Sequence, residues 1–324
     1  MTVLVTGCAG FIGFHTASAL LARGEPVLGI DSLNDYYDVR LKRARLAFLK
    51  NHKNFSFAQV DIADRPSLAA AVSDASAPVD RVVHLAAQAG VRYSLTHPEA
   101  YVRANLEGHF AIIELCRGLK GFKNLVYASS SSVYGGNTKL PFAIEDPVDR
   151  PVSLYAATKK ADELMSYCYS HLFGLPMTGL RYFTVYGPWG RPDMAAFIFT
   201  RAIFAGQPIT LFNNGDMMRD FTFVEDAVKG TLAALDRPGT GPAPHRVYNI
   251  GNHRSEKLTR LVELIEKATG KKAIIEYGPM QPGDVKETYA DIEASRRDLG
   301  FEPSTPLDQG IPRFVAWYRE YHKV

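Results

Sequence analysis

Thr2-Val3-Leu4-Val5-Thr6-Gly7-Cys8-Ala9-Gly10-Phe11-Ile12-Gly13 follows Met1 and decides the fold. The apolar run from Thr2 to Thr6 reads as a short buried strand. The glycines after it read as a tight turn, and Phe11 to Leu21 has the spacing of a helix. Strand, glycine turn and helix make half of a βαβ unit. In such a turn the first glycine allows the sharp change of direction, the second lets backbone approach a pyrophosphate, and the third lets helix pack against sheet. The helix N-terminus then faces the anion with unpaired N–H groups and the positive end of its dipole.

Outward from this turn the pattern repeats. Pro26–Asp31, Phe55–Asp61, Arg81–Ala87 and Asn124–Ser130 read as further buried strands, separated by helical segments around 40–50, 66–75 and 98–119. Ser153–His171 reads as a helix and Met177–Arg181 as the next strand. Alternation of this kind predicts an α/β protein with a doubly wound parallel sheet. The Gly- and Pro-rich stretch Gly187–Pro192 marks a domain change. Beyond it the spacing predicts helices near 195–205, 223–236, 258–268, 291–299 and 307–321, and strands near 209–212 and 246–250.

Composition agrees with one large core and an appendage. The chain has 324 residues, 46% hydrophobic and 22% charged, with a net charge of +3. These values exclude disordered and fibrous classes and give no nucleic-acid footprint. Cys8, Cys116 and Cys168 lack metal-ligand spacing, and an odd count leaves no complete disulfide set, so a reducing compartment and no metal are expected. The first basic residue is Arg23, and no apolar stretch approaches the ~18 residues of a membrane span, which predicts a cytoplasmic protein.

Three groups carry candidate chemistry. Asp31, at the end of the second strand, either accepts hydrogen bonds from an adenosine ribose or caps the turn after it; Ser32 and Leu33 offer no cation for a ribose phosphate, favouring NAD over NADP. Arg40, Lys42 and Arg43 read as a solvated helix face, the alternative being that a folded loop brings them close to that ribose. Tyr155 and Lys159 lie four apart in a helical segment, so both project from one face. Tyrosine ordinarily ionises near pH 10, and its use as a base needs a nearby cation, which Lys159 supplies. Ser129 to Ser132 place hydroxyls at the carboxyl edge of the sheet, either as a site or as a polar strand exit. His84, between Val83 and Leu85, reads as a core histidine, and Met217-Met218 as packing.

Asp31-Ser-Leu-Asn-Asp-Tyr-Tyr-Asp38, His84-Leu-Ala-Ala-Gln-Ala-Gly-Val-Arg-Tyr-Ser94, Ser129-Ser-Ser-Ser-Val-Tyr-Gly135, Tyr182-Phe-Thr-Val-Tyr-Gly-Pro-Trp-Gly-Arg-Pro-Asp193 and Gln281-Pro-Gly-Asp-Val285 resemble the extended short-chain dehydrogenase/reductase family acting on nucleotide sugars, within it the UDP-glucuronate 4-epimerases. The resemblance implies a Rossmann-like NAD-binding domain of residues 1–182 and 222–250, and a smaller α/β nucleotide-sugar-binding domain of 183–221 and 251–324. It implies Ser130, Tyr155 and Lys159 as catalytic residues. Gly7, Gly10, Phe11, Ile12, Gly13, Asp31, Asp61 and Ile62 would hold NAD, joined by Tyr155 and by Lys159 at the nicotinamide ribose. Ser131, Ser132, Thr184 and Arg191 would meet the sugar carboxylate, and Arg219 and Asp284 the nucleotide diphosphate and ribose. For Arg191 a loop pair with Asp193 is the alternative, and for Arg219 a pair with Asp220 or Glu225.

Two departures narrow the substrate. The galactose-type epimerase pattern has Asn at the position of Thr184 and Arg at that of Gln281, and the dehydratase pattern has an acid pair at Ser131 and Ser132. The implied reaction interconverts UDP-glucuronate and UDP-galacturonate through a transient 4-keto sugar. A UDP-glucuronate decarboxylase, a UDP-glucose/UDP-galactose epimerase and a redox-sensing dinucleotide-binding protein without turnover are the alternatives. A homodimer through the helices near 98–119 and 153–171 is the family expectation.

Overall fold

The computed structural model describes residues 1–281 and 283–324. The strands are β1 (Thr2–Thr6), β2 (Val27–Asp31), β3 (Phe55–Gln59), β4 (Val79–His84), β5 (Asn124–Ser130), β6 (Met177–Tyr182), β7 (Thr184–Tyr186), β8 (Pro208–Phe212), β9 (Met218–Phe223), β10 (His245–Ile250), β11 (Ser255–Lys257) and β12 (Ile274–Gly278). The α-helices are α1 (Phe11–Ala22), α2 (Val39–Lys50), α3 (Arg65–Ser73), α4 (Pro98–Tyr101), α5 (Gly108–Gly118), α6 (Leu154–Phe173), α7 (Ala195–Ala205), α8 (Val224–Asp236), α9 (Leu258–Thr269), α10 (Glu293–Leu299) and α11 (Leu307–His322).

A seven-stranded sheet runs in the order β10-β6-β5-β4-β1-β2-β3, parallel throughout. This is the doubly wound α/β sheet that the strand–helix alternation predicts. Every residue of β1 and β2 is buried, as expected where helices cover both faces. On one face α1 and α8 bury Phe14, Ala17, Leu20, Val224 and Leu232. On the other, α3 and α5 bury Leu68, Val72, Ile112, Ile113 and Cys116. The order reverses at β1, with β2 on one side and β4 on the other, and the carboxyl ends on either side of such a switch point open the crevice where ligands of these sheets bind. The glycine turn leaves β1 there.

A second apolar cluster joins α7, α9 and α11 to β8 and β9, with Phe197, Ile203, Leu211, Phe221, Leu261 and Phe314 at its centre. Here β9 pairs with β7 in parallel and with β11 in antiparallel, and β12 pairs with β8. Apart from β8, these strands are absent from the sequence reading: β7 and β11 span three residues each, too short for a period-2 pattern to register. Between the clusters, Trp189 takes a left-handed backbone (φ 62°). Its ring lies 5.3 Å from Trp317, 5.2 Å from Tyr321 and 5.5 Å from Phe14, centroid to centroid, so α11 clamps the loop before Arg191 onto α1.

The single helix expected over 98–119 is interrupted. Val102–Glu107 forms a π-helical stretch between α4 and α5. The widened turn carries Asn105 inward, where Oδ1 accepts the Gln88 N–H at 2.8 Å and Nδ2 donates to the Gln88 carbonyl at 3.1 Å and to Thr158 Oγ1 at 2.9 Å. π-bulges commonly mark functional regions, and this one ties the loop after β4 to α6. Among the described residues no helix is long and apolar enough to cross a membrane, and no cluster of three metal-ligating side chains occurs.

Candidate active site

The glycine turn has the geometry its spacing predicts. Gly7 has φ 70°, and a Cβ on it would lie 2.7 Å from Ala86 N; a Cβ on Gly13 would lie 2.0 Å from the Gly7 carbonyl. Neither position admits another residue. Gly10 begins α1 without a side-chain cap, leaving the helix N-terminus open to an anion. Phe11 is a core residue, and Ile12 is partly buried against the same cluster.

Asp31 is buried at the carboxyl end of β2. Its Oδ2 accepts the Ala9 N–H at 3.1 Å and its Oδ1 the Leu33 N–H at 2.8 Å. The turn-capping role therefore exists, and it also fixes the carboxylate beside the glycine turn. Lone pairs remain for a ribose diol, since each carboxylate oxygen can accept twice. Asp61 accepts the Ala63 N–H at 3.0 Å and pairs with Arg103 at 2.8 Å, while Ile62 is buried against the α5 layer. The basic face of α2 divides. Arg40 pairs with Asp38 in solvent, whereas Lys42 is buried and donates to the Asn34 carbonyl at 2.7 Å. Lys42 thus corrects the solvated-face reading.

Arg45, two turns into α2, carries no role in the sequence reading. It is fully buried and donates to the Ala9 carbonyl (2.9 Å), Tyr37 Oη (2.7 Å) and the carbonyls of Trp189 (2.6 Å) and Gly190 (3.2 Å). One guanidinium therefore braces the glycine turn against the loop that leads to Arg191. The signal lay in the buried stripe Leu41, Lys42, Arg45, Leu46, Leu49, where a cation interrupts apolar positions at helical spacing.

On the other side of the switch point stand the proton-transfer candidates. Ser130 ends β5, and its Oγ accepts the Ser132 N–H at 3.2 Å, leaving its own proton free to donate. Ser131 and Ser132 open a short 3-10 turn, and Ser153 caps α6 by accepting the Ala156 N–H at 3.1 Å. Tyr155 and Lys159 follow in α6. Lys159 Nζ reaches the Ala128 carbonyl at 2.9 Å, which anchors α6 to β5. The Tyr155 ring meets Tyr101 edge to face at 6.0 Å, and Tyr101 in turn donates to the Ala89 carbonyl at 3.0 Å.

Arg191, the cationic candidate, lies on the loop after β7. Its Nε donates to Asp193 Oδ1 at 3.0 Å, with Nη2 on Oδ2 at 2.5 Å, and Tyr36 Oη donates to Asp193 Oδ2 at 3.0 Å. Burial pulls the Arg191 pKa down, but Asp193 together with Tyr36 and Tyr155 outweighs it and holds the guanidinium firmly charged. The loop pair with Asp193 is therefore real, and it lies within the electrostatic reach of Tyr155. Thr184 is half-buried at the start of β7. Arg219 does not pair with Asp220 or Glu225. It donates to the carbonyls of Met218 (2.8 Å) and Lys286 (3.1 Å), close to Asp284, which itself pairs with Arg92 at 3.0 Å. Arg92 and Tyr36 were not singled out in the sequence, although both stand inside quoted motifs. His84 is buried on Thr6 Oγ1 at 2.7 Å, as a core histidine should be.

Comparison with known proteins fits this arrangement. Residues 3–251 match the model of the Epimerase family, described as the NAD dependent epimerase/dehydratase family. Protein CapI of Staphylococcus aureus is 48% identical over 100% of both chains. UDP-glucuronate 4-epimerase 4 of Arabidopsis thaliana is 47% identical over 99% of this chain and 76% of its own. The crystal structure of UDP-glucuronic acid 4-epimerase from Bacillus cereus, in complex with UDP-glucuronic acid and NAD, superposes with a TM-score of 0.91 at 33% identity, covering 99% of this chain and 100% of that one. With a match across three quarters of its length and relatives this similar end to end, the chain belongs to the NAD dependent epimerase/dehydratase family.

Proposed function

We propose that this chain is an NAD-dependent UDP-glucuronate 4-epimerase, interconverting UDP-glucuronate and UDP-galacturonate through a 4-keto sugar. The observation that carries the reading is the approach of the Arg191–Asp193 pair to Tyr155 across Gly90, where a Cβ would lie 3.7 Å from Asp193 Oδ2 and 3.8 Å from Tyr101 Oη, with the Tyr101 ring 6.0 Å from that of Tyr155, opposite an open glycine turn. The residues fit NAD: Gly7, Gly10 and Gly13 leave room for a diphosphate over an uncapped helix, Asp31 holds a carboxylate beside it, and Ser32 and Leu33 bring no cation for a ribose phosphate. Bound there, NAD supplies a hydride acceptor that also returns the hydride.

The chain's own residues do the rest. Tyr155 takes the proton from the sugar 4-hydroxyl and later gives it back; Ser130, with its hydroxyl proton free, donates to the same oxygen as charge develops on it. Lys159 provides the cation that makes a phenol serviceable as a base. Arg219 and Asp284 hold the nucleotide side while the ketone turns over and presents its other face. With a ketone at carbon 4 and a carboxylate on carbon 5, the intermediate is a β-keto acid. Its carbon dioxide leaves when the bond to the carboxylate stands perpendicular to the carbonyl, so the carboxylate must be held away from that orientation. Arg191, Ser131, Ser132 and Thr184 are the residues assigned to this; Asp193 takes the Nε/Nη2 edge of Arg191, and a substrate carboxylate would take the edge that Nη1 presents. The division into an NAD-binding part (1–182 and 222–250) and a nucleotide-sugar part (183–221 and 251–324) follows from this assignment of roles.

The exposed apolar side chains Val102, Phe110, Leu164, Tyr167, Leu172 and Phe173 on the α5 and α6 layer suit a homodimer. Chromatography of the nucleotide sugars after incubation with UDP-glucuronate tests the function. UDP-galacturonate as product supports it; a UDP-pentose as main product makes the protein a decarboxylase, and turnover of UDP-glucose alone makes it a neutral-hexose epimerase.

A further inference from the structure

Lys159 is held by a second group besides the Ala128 carbonyl. Its ammonium donates to Asp162 Oδ2 at 3.0 Å, and both side chains are nearly sealed from solvent, 4% and 1% exposed. The other carboxylate oxygen, Oδ1, is also buried and meets no donor. An ionised carboxylate so placed has one oxygen solvated by neither water nor protein, which penalises its charged form. Tyr155, Lys159 and Asp162 are spaced four and then three apart on α6 and so follow one face of the helix.

The groups that face this pair come from four elements. On α6 itself are Tyr155 and Glu163, the latter bound to Arg181 by two hydrogen bonds of 2.8 Å and to Ser129 at 2.6 Å. From β4 comes His84, from α5 His109, and from β5 Tyr127. Burial keeps both histidines neutral and the Tyr127 phenol protonated, while Arg181 and Ser129 offset burial at Glu163 and keep it ionised. Burial, only partly opposed by Lys159, pushes Asp162 up to about 7. Asp162 is thus the acid of this cluster whose charge changes near neutrality.

We propose that Asp162 is a positioning residue that sets the charge under which Tyr155 moves its proton. Ionised, it makes the Lys159 position a neutral pair; protonated, it leaves a net positive charge one helical turn from the phenol. It also fixes the ammonium, which donates to the Ala128 carbonyl and to Asp162. The proposal rests on Tyr155 being the base. A nearby positive charge favours the phenolate, so above its own titration the ionised Asp162 works against the phenolate, and removing the ionisable group should bring the acid-side limb of activity down toward neutrality.

Asp162→Asn keeps the size and the acceptor to Lys159 but cannot ionise. In the pH profile of kcat, the acid-side limb of Asp162→Asn should lie roughly half to one pH unit below that of the parent. A limb with an unmoved midpoint, kcat falling uniformly, overturns the proposal. Carboxyl ¹³C NMR of aspartate-labelled wild-type protein gives a measurement that does not depend on turnover or on the variant folding: a resonance titrating near 7 and missing in Asp162→Asn is expected, and a titration of Asp162 below 5 sinks the idea. Tyr155→Phe separates the two layers. If it turns over normally, the base and this proposal fall together; if it is impaired and the Asp162→Asn limb has not moved, only this proposal falls.

Discussion

Replacing Arg45 by Met tests whether a single buried guanidinium joins the cofactor turn to the substrate loop. Met fills a similar volume but donates nothing, so the carbonyls of Ala9, Trp189 and Gly190 and the Tyr37 hydroxyl lose their donor. Hydrogen bonds from a charged group contribute ~1.5–3 kcal/mol each, so four of them amount to roughly 6–12 kcal/mol gross. Against this stands the desolvation of a guanidinium that makes no hydrogen bond to any carboxylate and has its Nε unpartnered, a penalty of several kcal/mol that the substitution removes. The net loss should therefore be about 2–5 kcal/mol in urea unfolding. Because Ala9 lies within the glycine turn and Gly190 adjoins Arg191, NAD binding by calorimetry and KM for UDP-glucuronate should both worsen. Arg45→Lys, with three donors on a compact head, should recover only part of the stability. A loss under 1 kcal/mol with unchanged NAD affinity and KM would refute the bracing role and leave Arg45 as a tolerated buried cation.

Other outcomes follow from the same geometry. Asp31→Ala removes acceptors from Ala9 and Leu33 as well as from a ribose, so it should cost about 1–3 kcal/mol of stability and weaken NAD binding by a few kcal/mol at most; NAD affinity equal to wild type by calorimetry would make Asp31 a turn cap alone. Arg191→Lys should lower kcat/KM for UDP-glucuronate about 10- to 100-fold, with NAD binding intact, and release a small UDP-pentose fraction detectable by chromatography; normal epimerisation without pentose would return Arg191 to loop structure. His84 and His109 are buried neutral, with burial as the first cause and His109 lowered to about 3. Their folded pKa lies below the unfolded value near 6.5, so the unfolded chain binds more protons below that pH and stability should fall as pH drops below about 6.5, for His109 down to about 3, by up to ~1.4 kcal/mol per pH unit for each. Asp162, raised to about 7, and Asp220, raised to about 6, act in the opposite sense as pH falls, so the histidine share is the difference in urea midpoint against pH between the protein and its His109→Gln variant; equal slopes would contradict this.

What could be seen in the sequence was whatever has a local cause. Gly7, Gly10 and Gly13 are readable because tight turning and close approach leave no other residue, and Asn124–Ser130 because a strand buried on both faces is continuously apolar and ends in hydroxyls. Tyr155 and Lys159 are readable from helical spacing alone, although their chemistry came from resemblance. What was missed depends on distant partners. The π-helical turn at 102–107 exists so that Asn105 can reach Gln88 and Thr158, contacts across the chain that no periodicity encodes. Arg45 and Asp162 are ordinary charged residues in sequence; each becomes informative only when burial removes its water and dictates what it must touch. Lys42 shows the converse, a cation assigned to solvent whose tail and head are both enclosed.

The chain has two tryptophans, Trp189 and Trp317, and their rings lie 5.3 Å apart at 46°. All of its indole absorption therefore belongs to one coupled pair seated where the C-terminal helix meets the loop before Arg191. Such a pair should give an exciton couplet in far-ultraviolet circular dichroism, from the strong short-wavelength indole transition, and emission from one site. The protein thus contains its own optical probe at one place, so that stopped-flow fluorescence without any label would time any change in the loop before Arg191 when a nucleotide sugar is added, free of other indoles.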